Sequence, residues 1–380
     1  MAAPVSTGHV VNPQPQTTAQ PAGGPFIRYS EEGYKPMYSQ SGLAFGAQVQ
    51  APLVSAPGYA RRFRLRLIAS GGVNGTNTVA ADPDAPWSAV QQIVVTSPGG
   101  TQLMQGDGYG LLHLVNKYGG QAGLWAYGAP DALPNFSAIS VGSAGTGDFT
   151  AAAQLPLEAA KAYGCISMAN ASELPTISLQ LAASSAVYST APGTLPTIQV
   201  KVGLDYYWLP IDSTIEPPGL GSTLQWNKQT AYPNISSGSN QDVNIPKLGG
   251  YISTFIFVLR DSTGARIDAF PDPLSIYVDG VPIANQKPLA DIEDDMANQF
   301  QLASGELRET GVIAITRKTS LAQVQLGLLD TGEGYLSSNP GTSVVLQGTW
   351  GTITNSPATL SCYAGQFVPS GAMLRGLLEQ

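Results

Sequence analysis

Charge is what this chain has least of. Of its 380 residues only 12% are Asp, Glu, Lys or Arg, about half the share of an ordinary globular protein. A surface so poor in charge would barely keep a lone monomer in solution, so much of it is expected to be covered by other subunits. Histidine is scarcer still, with only His9 and His113, and His9 lies in a polar tail. A histidine-based triad or a zinc site of several imidazoles would rest on His113 nearly alone, so no enzymatic activity, cofactor or metal is expected. Cysteine is limited to Cys165 and Cys362, read as buried reduced thiols. No run approaches the roughly 18 apolar residues of a membrane span, and the N-terminus has no basic region leading into an apolar core. The expectation is a chain neither embedded in lipid nor exported by a signal peptide. A net charge of -8 and a pI near 4.7 argue against general nucleic-acid binding, which depends on neutralising many phosphates.

The first 25 residues lack Lys, Arg, Asp and Glu altogether and carry Pro4, Pro13, Pro15, Pro21 and Pro25. Such a segment cannot form a regular helix. It is expected to be an extended arm, pinned by neighbouring copies or by a membrane surface.

Turn formers and dispersed apolar runs are abundant. With 43 Gly, 29 Pro and 43% hydrophobic residues, the chain has an all-β composition. Two internal repeats suggest one β-fold made twice. At a constant offset of 147 residues, Gly164-Cys165-Ile166 answers to Gly311-Val312-Ile313, Leu174 to Leu321, Ile177, Leu179 and Leu181 to Val324, Leu326 and Leu328, and Tyr188 to Tyr335. Pro192-Gly193-Thr194 matches Pro340-Gly341-Thr342 one residue out of step. A looser repeat, at an offset of about 183 to 190, pairs strands Phe63 to Ile68 with Phe255 to Val258 and Gln92 to Thr96 with Ser275 to Val278. It also pairs helix-like segments Tyr109 to Tyr118 and Leu289 to Gln301. Two copies of about 150 residues suit a β-sandwich or jelly roll.

Motifs with chemical promise are weak. Asp291, Glu293, Asp294 and Asp295 lie opposite Leu289, Ile292, Met296 and Phe300 on a predicted helix, which makes them a solvated face rather than a cation site. Asp82 and Asp84 lack the spacing of a calcium loop. Gly106-Asp107-Gly108-Tyr109-Gly110 has no phosphate-loop Lys-Ser/Thr and is expected to be a turn that starts a helix. Tyr206-Tyr207-Trp208 suits core and edge packing better than sugar stacking. The sequons at Asn74, Asn135, Asn170 and Asn234 are given no function.

A basic stripe is harder to dismiss. Arg62, Arg64 and Arg66 alternate with Phe63, Leu65 and Leu67, so a strand would aim the apolar set inward and the guanidinium groups outward, with Arg61 adding a fourth positive charge. Two readings stand: a solvated sheet face with acidic cross-strand partners, or contact with a neighbouring subunit or anionic head groups.

A family resemblance is carried by Phe63 to Gly120. The strand at Phe63 to Ile68, Trp87-Ser88-Ala89-Val90-Gln91-Gln92-Ile93, the turn at Pro98-Gly99-Gly100 and the run Leu112-His113-Leu114-Val115-Asn116 resemble the major capsid proteins of tectivirus-like phages. Leu155-Pro156-Leu157 and Leu179-Gln180-Leu181 resemble the next strands of the same barrel. The resemblance covers roughly residues 60 to 210. It implies an all-β fold of two tandem eight-stranded jelly rolls with short helices in inter-strand loops, forming homotrimers of nearly sixfold outline. It further implies an icosahedral virion shell, assembled in the host cytoplasm, around a lipid membrane enclosing double-stranded DNA. Minor capsid or vertex proteins and the membrane would be further partners, with no specific nucleic-acid binding. Family members often begin with an amphipathic helix, which the prolines here forbid.

The division expected is an arm at 1–44, a first jelly roll at 45–214, a linker and second jelly roll at 215–367, and a tail at 368–380, the linker spanning Asp212 to Gly250. Interface candidates are Arg62, Arg64 and Arg66, the aromatic residues Phe26, Tyr29, Tyr34 and Tyr38, and Leu374 and Leu377 in the tail. A two-domain β-sandwich acting on carbohydrate and a trimeric spike or tail protein are the alternatives.

Overall fold

The computed structural model describes residues 24–119, 136–158, 162–209, 215–217, 220–245, 250–300, 308–316, 336–338 and 343–368. Eight strands make a first barrel: β1 (Glu31–Leu43), β2 (Gln48–Ala51), β3 (Tyr59–Ser70), β4 (Val90–Thr96), β5 (Gln102–Gly106), β6 (Phe149–Pro156), β7 (Thr176–Leu181) and β8 (Thr197–Trp208). Eight more make a second: β9 (Thr223–Ile235), β10 (Val243–Ile245), β11 (Gly250–Arg260), β12 (Leu274–Val278), β13 (Val281–Lys287), β14 (Val312–Thr316), β15 (Val344–Gln347) and β16 (Ala358–Val368). Helix α1 (Gly24–Tyr29) precedes β1. Helical stretch α2 runs over Tyr109–Leu114 and on through Val115–Tyr118, after β5, and α3 (Leu289–Phe300) follows β13.

The first barrel pairs a wide sheet, β1-β8-β3-β6, with a narrow one, β2-β7-β4-β5; the second repeats this as β9-β16-β11-β14 and β10-β15-β12-β13. Adding eight to every label of the first barrel gives the second. Between the barrels, β5 and β9 pair in parallel at Met104↔Trp226 and Gln105↔Asn227, which fuses the narrow sheet of one with the wide sheet of the other into eight strands, and the short strand Leu336–Ser338, paired with β11, makes nine.

Side-chain period explains the strands. In β3, Phe63, Leu65 and Leu67 are each at most 2% exposed while Arg64 points to solvent. Burying each such apolar side chain is worth about 1.5–3 kcal/mol. Strand β7 repeats the pattern with Ile177, Leu179 and Leu181. Turn chemistry sets the reversals: Asp279 and Gly280 join β12 to β13 with φ of 49° and 76°, the positive-φ pair of a two-residue hairpin.

The looser of the two repeats is the structural one. Phe63 to Ile68 and Phe255 to Val258 lie in β3 and β11, Gln92 to Thr96 and Ser275 to Val278 in β4 and β12, and the two helix-like segments are α2 and α3. The 147-residue register is not. It sets the short strand Ile166–Ser167 against β14, whereas β14 occupies the place of β6, each pairing with the third strand of its barrel. The counterparts of Ile177 and Leu179 are Val344 and Leu346, each standing between matched neighbours in the narrow sheets. Residues 321–335 and 340–342 lie outside the described residues. Alternation of period 2 marks any half-buried strand and does not say which strand it is.

Two boundaries also differ from the sequence reading. Residues 31–43, assigned to the arm, are β1, paired along β8 from Glu31↔Trp208 to Leu43↔Ile198. Residues 223–245, assigned to the linker, contain β9 and β10, which the Gly- and Ser-rich surroundings obscured; Leu224 and Trp226 give β9 its buried face.

Candidate functional site: the seam between the barrels

The seam is built where α2 lies across the outer face of the second barrel's wide sheet. Asp107 prepares it. Its Oδ1 accepts the Gly110 N–H at 2.7 Å, which starts the helix, and its Oδ2 accepts from Lys228 Nζ at 2.6 Å and the Tyr363 hydroxyl at 2.7 Å, both in the second barrel. Burial alone would raise the Asp107 carboxyl, but these contacts outweigh it and hold the group below its ordinary value. Glycine permits the approach: a side chain at Gly110 would run into the Tyr363 ring, and one at Gly119 into the Trp226 ring. Trp226 is 1% exposed as a result.

A second, ionic cluster closes the seam. Glu309 lies just before β14. Its carboxylate accepts from Tyr109 and lies 2.7 Å from His113 Nε2, 3.2 Å from Lys117 Nζ and 3.4 Å from Arg266 Nη1. Asp84 of the first barrel takes Arg266 Nε at 2.7 Å and Arg260 Nη2 at 2.5 Å. Both guanidinium groups lie over the Tyr109 ring, Arg266 at 4.9 Å and Arg260 at 5.3 Å. Burial pushes the Glu309 carboxyl up, yet its contacts with His113, Tyr109 and Lys117 prevail and hold it far below the usual carboxylate range. His113 also stacks on Trp87 at 5.6 Å. These acids and bases pair across the two barrels, so the cluster clamps one to the other. Among the described residues, no group of three or more His, Cys, Asp and Glu side chains could hold a metal ion.

On the opposite side of the first barrel, the arginine stripe lies as β3 demands. Arg62 pairs with Asp205, and Arg64 reaches the same carboxylate at 2.8 Å while lying 5.5 Å from the centre of the Tyr34 ring. Arg61 bridges Glu32 and the buried Glu158. Arg66 stands directly opposite Lys201 on β8, a like-charge pair. Acidic partners are therefore present, but they crowd one end of the stripe.

The aromatic candidates separate. Tyr29 and Tyr34 are 55% and 58% exposed, and Tyr38 packs partly against the core. Phe26, offered from sequence as a contact for neighbours, is 1% exposed and sits edge-on to Tyr59 and Tyr207 in a small core of its own chain. The short helix α1 turns it inward, so it is not available to another subunit. Leu374 and Leu377 lie outside the described residues. Cys165 and Cys362 are buried and free. Asp84, Glu309, Arg260 and Arg266 were invisible as a set in the sequence, because they come from four loops and strand ends.

A polar groove of about 600 Å³ runs beside the seam, lined by Gln91, Gln92, Gln105, Gly106, Asp107, Gln180 and Lys228. Its single carboxylate, Asp107, is already engaged, so it offers no acid pair for glycoside chemistry.

No family model matches the sequence, and no curated protein does. Solved structures match in backbone. The crystal structure of the STIV MCP is similar over 89% of this chain and 97% of its own, with a TM-score of 0.60 and 16% identity. The capsid of the virus PBCV-1 gives 0.56 over 90% and 95%, at 13% identity. P2, the major capsid protein of bacteriophage PM2, gives 0.52 over 90% and 99%, at 9% identity. The chain is a double jelly roll. In this double jelly roll the duplicated modules are not beads on a linker: strand pairing, a buried tryptophan and two charge clusters join them.

Proposed function

We propose that this chain is a major capsid protein. Three copies associate into a capsomer of nearly sixfold outline, and such capsomers tile an icosahedral virion shell. Homotrimer formation, an internal membrane enclosing double-stranded DNA, contact with minor capsid or vertex proteins and assembly in the host cytoplasm belong to the same reading. One observation supports it: each chain holds two barrels of identical strand order, fused edge to edge, so three copies would present six similar modules. The proteins similar in backbone include the STIV MCP and the major capsid protein of bacteriophage PM2, which supports the role. Double-sheet modules suit dense packing without uncontrolled strand addition. Weak contacts between capsomers suffice, since many act together in a closed shell.

Light scattering on the purified chain, followed by electron microscopy, tests this. A stable trimer with a hexagonal outline is expected. A monomer that binds or cleaves glycans would overturn it.

A further inference from the structure

The seam inside the chain predicts the seam between chains. In the internal seam, the fifth strand of barrel one (β5) meets the first strand of barrel two (β9), and Met104 and Trp226, paired across it, are each 1% exposed. The equivalent strands left over are β13, the fifth of barrel two, and β1, the first of barrel one. Each lies at a sheet edge among the described residues.

Register identifies one residue and a ring-over-glycine contact the other. Met104 pairs with Val95, which pairs with Ile177 on the next strand. In barrel two, Val281 pairs with Val278, which pairs with Val344. Val281 therefore holds the place of Met104, and it is 63% exposed. On the other side, the Trp226 ring lies on Gly365 of β16, the last strand of its barrel, and the Tyr34 ring lies likewise on Gly203 of β8. Tyr34 is 58% exposed. The two most exposed large hydrophobic side chains among the described residues thus mark the edges left over: Val281 holds the register place of the buried Met104, and Tyr34, which stands opposite Asp205, lays its ring over Gly203 as Trp226 does over Gly365.

Charge agrees. Within the chain, α2 covers the wide sheet of barrel two. Its counterpart α3 presents Asp291 and Asp294 to solvent, and the matching face of barrel one presents Arg64, with Arg66 and Lys201 opposed and partly open. An acidic helix and a basic sheet are complementary.

We propose that Val281 and α3 of one copy dock on Tyr34 and the Arg64–Arg66 face of the next, repeating the internal seam between copies. The contact is heterologous: one edge of each chain meets the other edge of its neighbour, and it closes into a ring. This rests on the capsid reading and names the surfaces that reading uses.

Cross-linking tests it in the full-length chain. With Tyr34→Cys and Val281→Cys combined, a short bis-maleimide should give covalent dimers and trimers and nothing larger. Each single variant should give none, and the native cysteines are buried. Separately, Val281→Asp should move the protein from trimer to monomer mass while its circular dichroism stays unchanged, because Val281 is exposed in the single chain. A wild-type trimer that yields no cross-links and survives Val281→Asp overturns this inference and leaves the capsid reading standing. Cross-linked dimers from either single variant overturn it too, since they mean a twofold contact. A wild-type protein that stays monomeric at assembly concentrations overturns both.

Discussion

The two wide sheets share a topology and differ in what lies on their outer faces. In the second barrel, β11 is buried continuously from Ile252 to Leu259, and β16 nearly so. In the first, β3 alternates buried and half-open residues, and its outer side carries arginines. The sequences say the same: Phe255-Ile256-Phe257-Val258-Leu259 against Phe63-Arg64-Leu65-Arg66-Leu67. One face is covered by α2 as the chain folds and never meets water, so apolar residues are stable there. The other remains exposed in the single chain and must stay soluble. A repeated fold can thus differ between its copies, with apolar surface where the other barrel covers the sheet and charge where the sheet faces solvent.

The comparison breaks most severely at Trp226. Trp226→Ala should destabilise the chain by about 3–5 kcal/mol, the usual cost of deleting a buried aromatic. Urea unfolding would measure it, and Tyr34→Ala should cost well under half as much because Tyr34 is 58% exposed. Equal losses would mean that the two positions are not counterparts in energy.

Glu309 gives the next largest effect. Its carboxyl is held below its ordinary value, so it adds stability at every pH above its unfolded value, about 4.3, and that stability is lost as pH falls below it towards the folded value. Glu309→Gln leaves Lys117 and Arg266 short of a buried anion and should cost about 1–3 kcal/mol at pH 7. The gap from wild type should narrow below pH 4, read from urea midpoints across pH. A gap independent of pH would remove the clamp from the account.

How much of this was legible in the sequence follows from range. Strands β3, β4, β7, β11 and β12 were visible because alternation and burial are local. The start of α2 was visible in Gly106 to Gly110, read as a turn leading into a helix, where the Asp107 carboxylate accepts the Gly110 N–H. The seam was not. Glu309 and Tyr109 are 200 residues apart, and nothing local marks either as a partner. Phe26 was misjudged for the same reason: a proline-rich, charge-free flank suggests an arm, and only the positions of Tyr59 and Tyr207 reveal a pocket for its ring. The arginine stripe was read correctly as a face, but not that Asp205 serves Arg62 and Arg64 while Arg66 opposes Lys201.

That last asymmetry yields the smallest and sharpest effect. Arg66 and Lys201 are directly opposite across β3 and β8, where like charges repel by a few tenths of a kcal/mol up to about 1 kcal/mol. Arg66→Ser should therefore leave the isolated chain as stable as wild type or up to about 1 kcal/mol more so. A face kept at a cost to its own fold is explained if an acidic partner settles on it. Trimer yield should then fall in the same variant at low salt and converge on wild type at high salt, where surface charges are screened. Arg64→Ser differs in sign for the monomer, because Arg64 has Asp205 at 2.8 Å and loses a half-exposed ion pair worth about 0–1 kcal/mol. Should Arg66→Ser destabilise the monomer as Arg64→Ser does, the open face is an ordinary solvated sheet, and the contrast with the covered one reduces to burial alone.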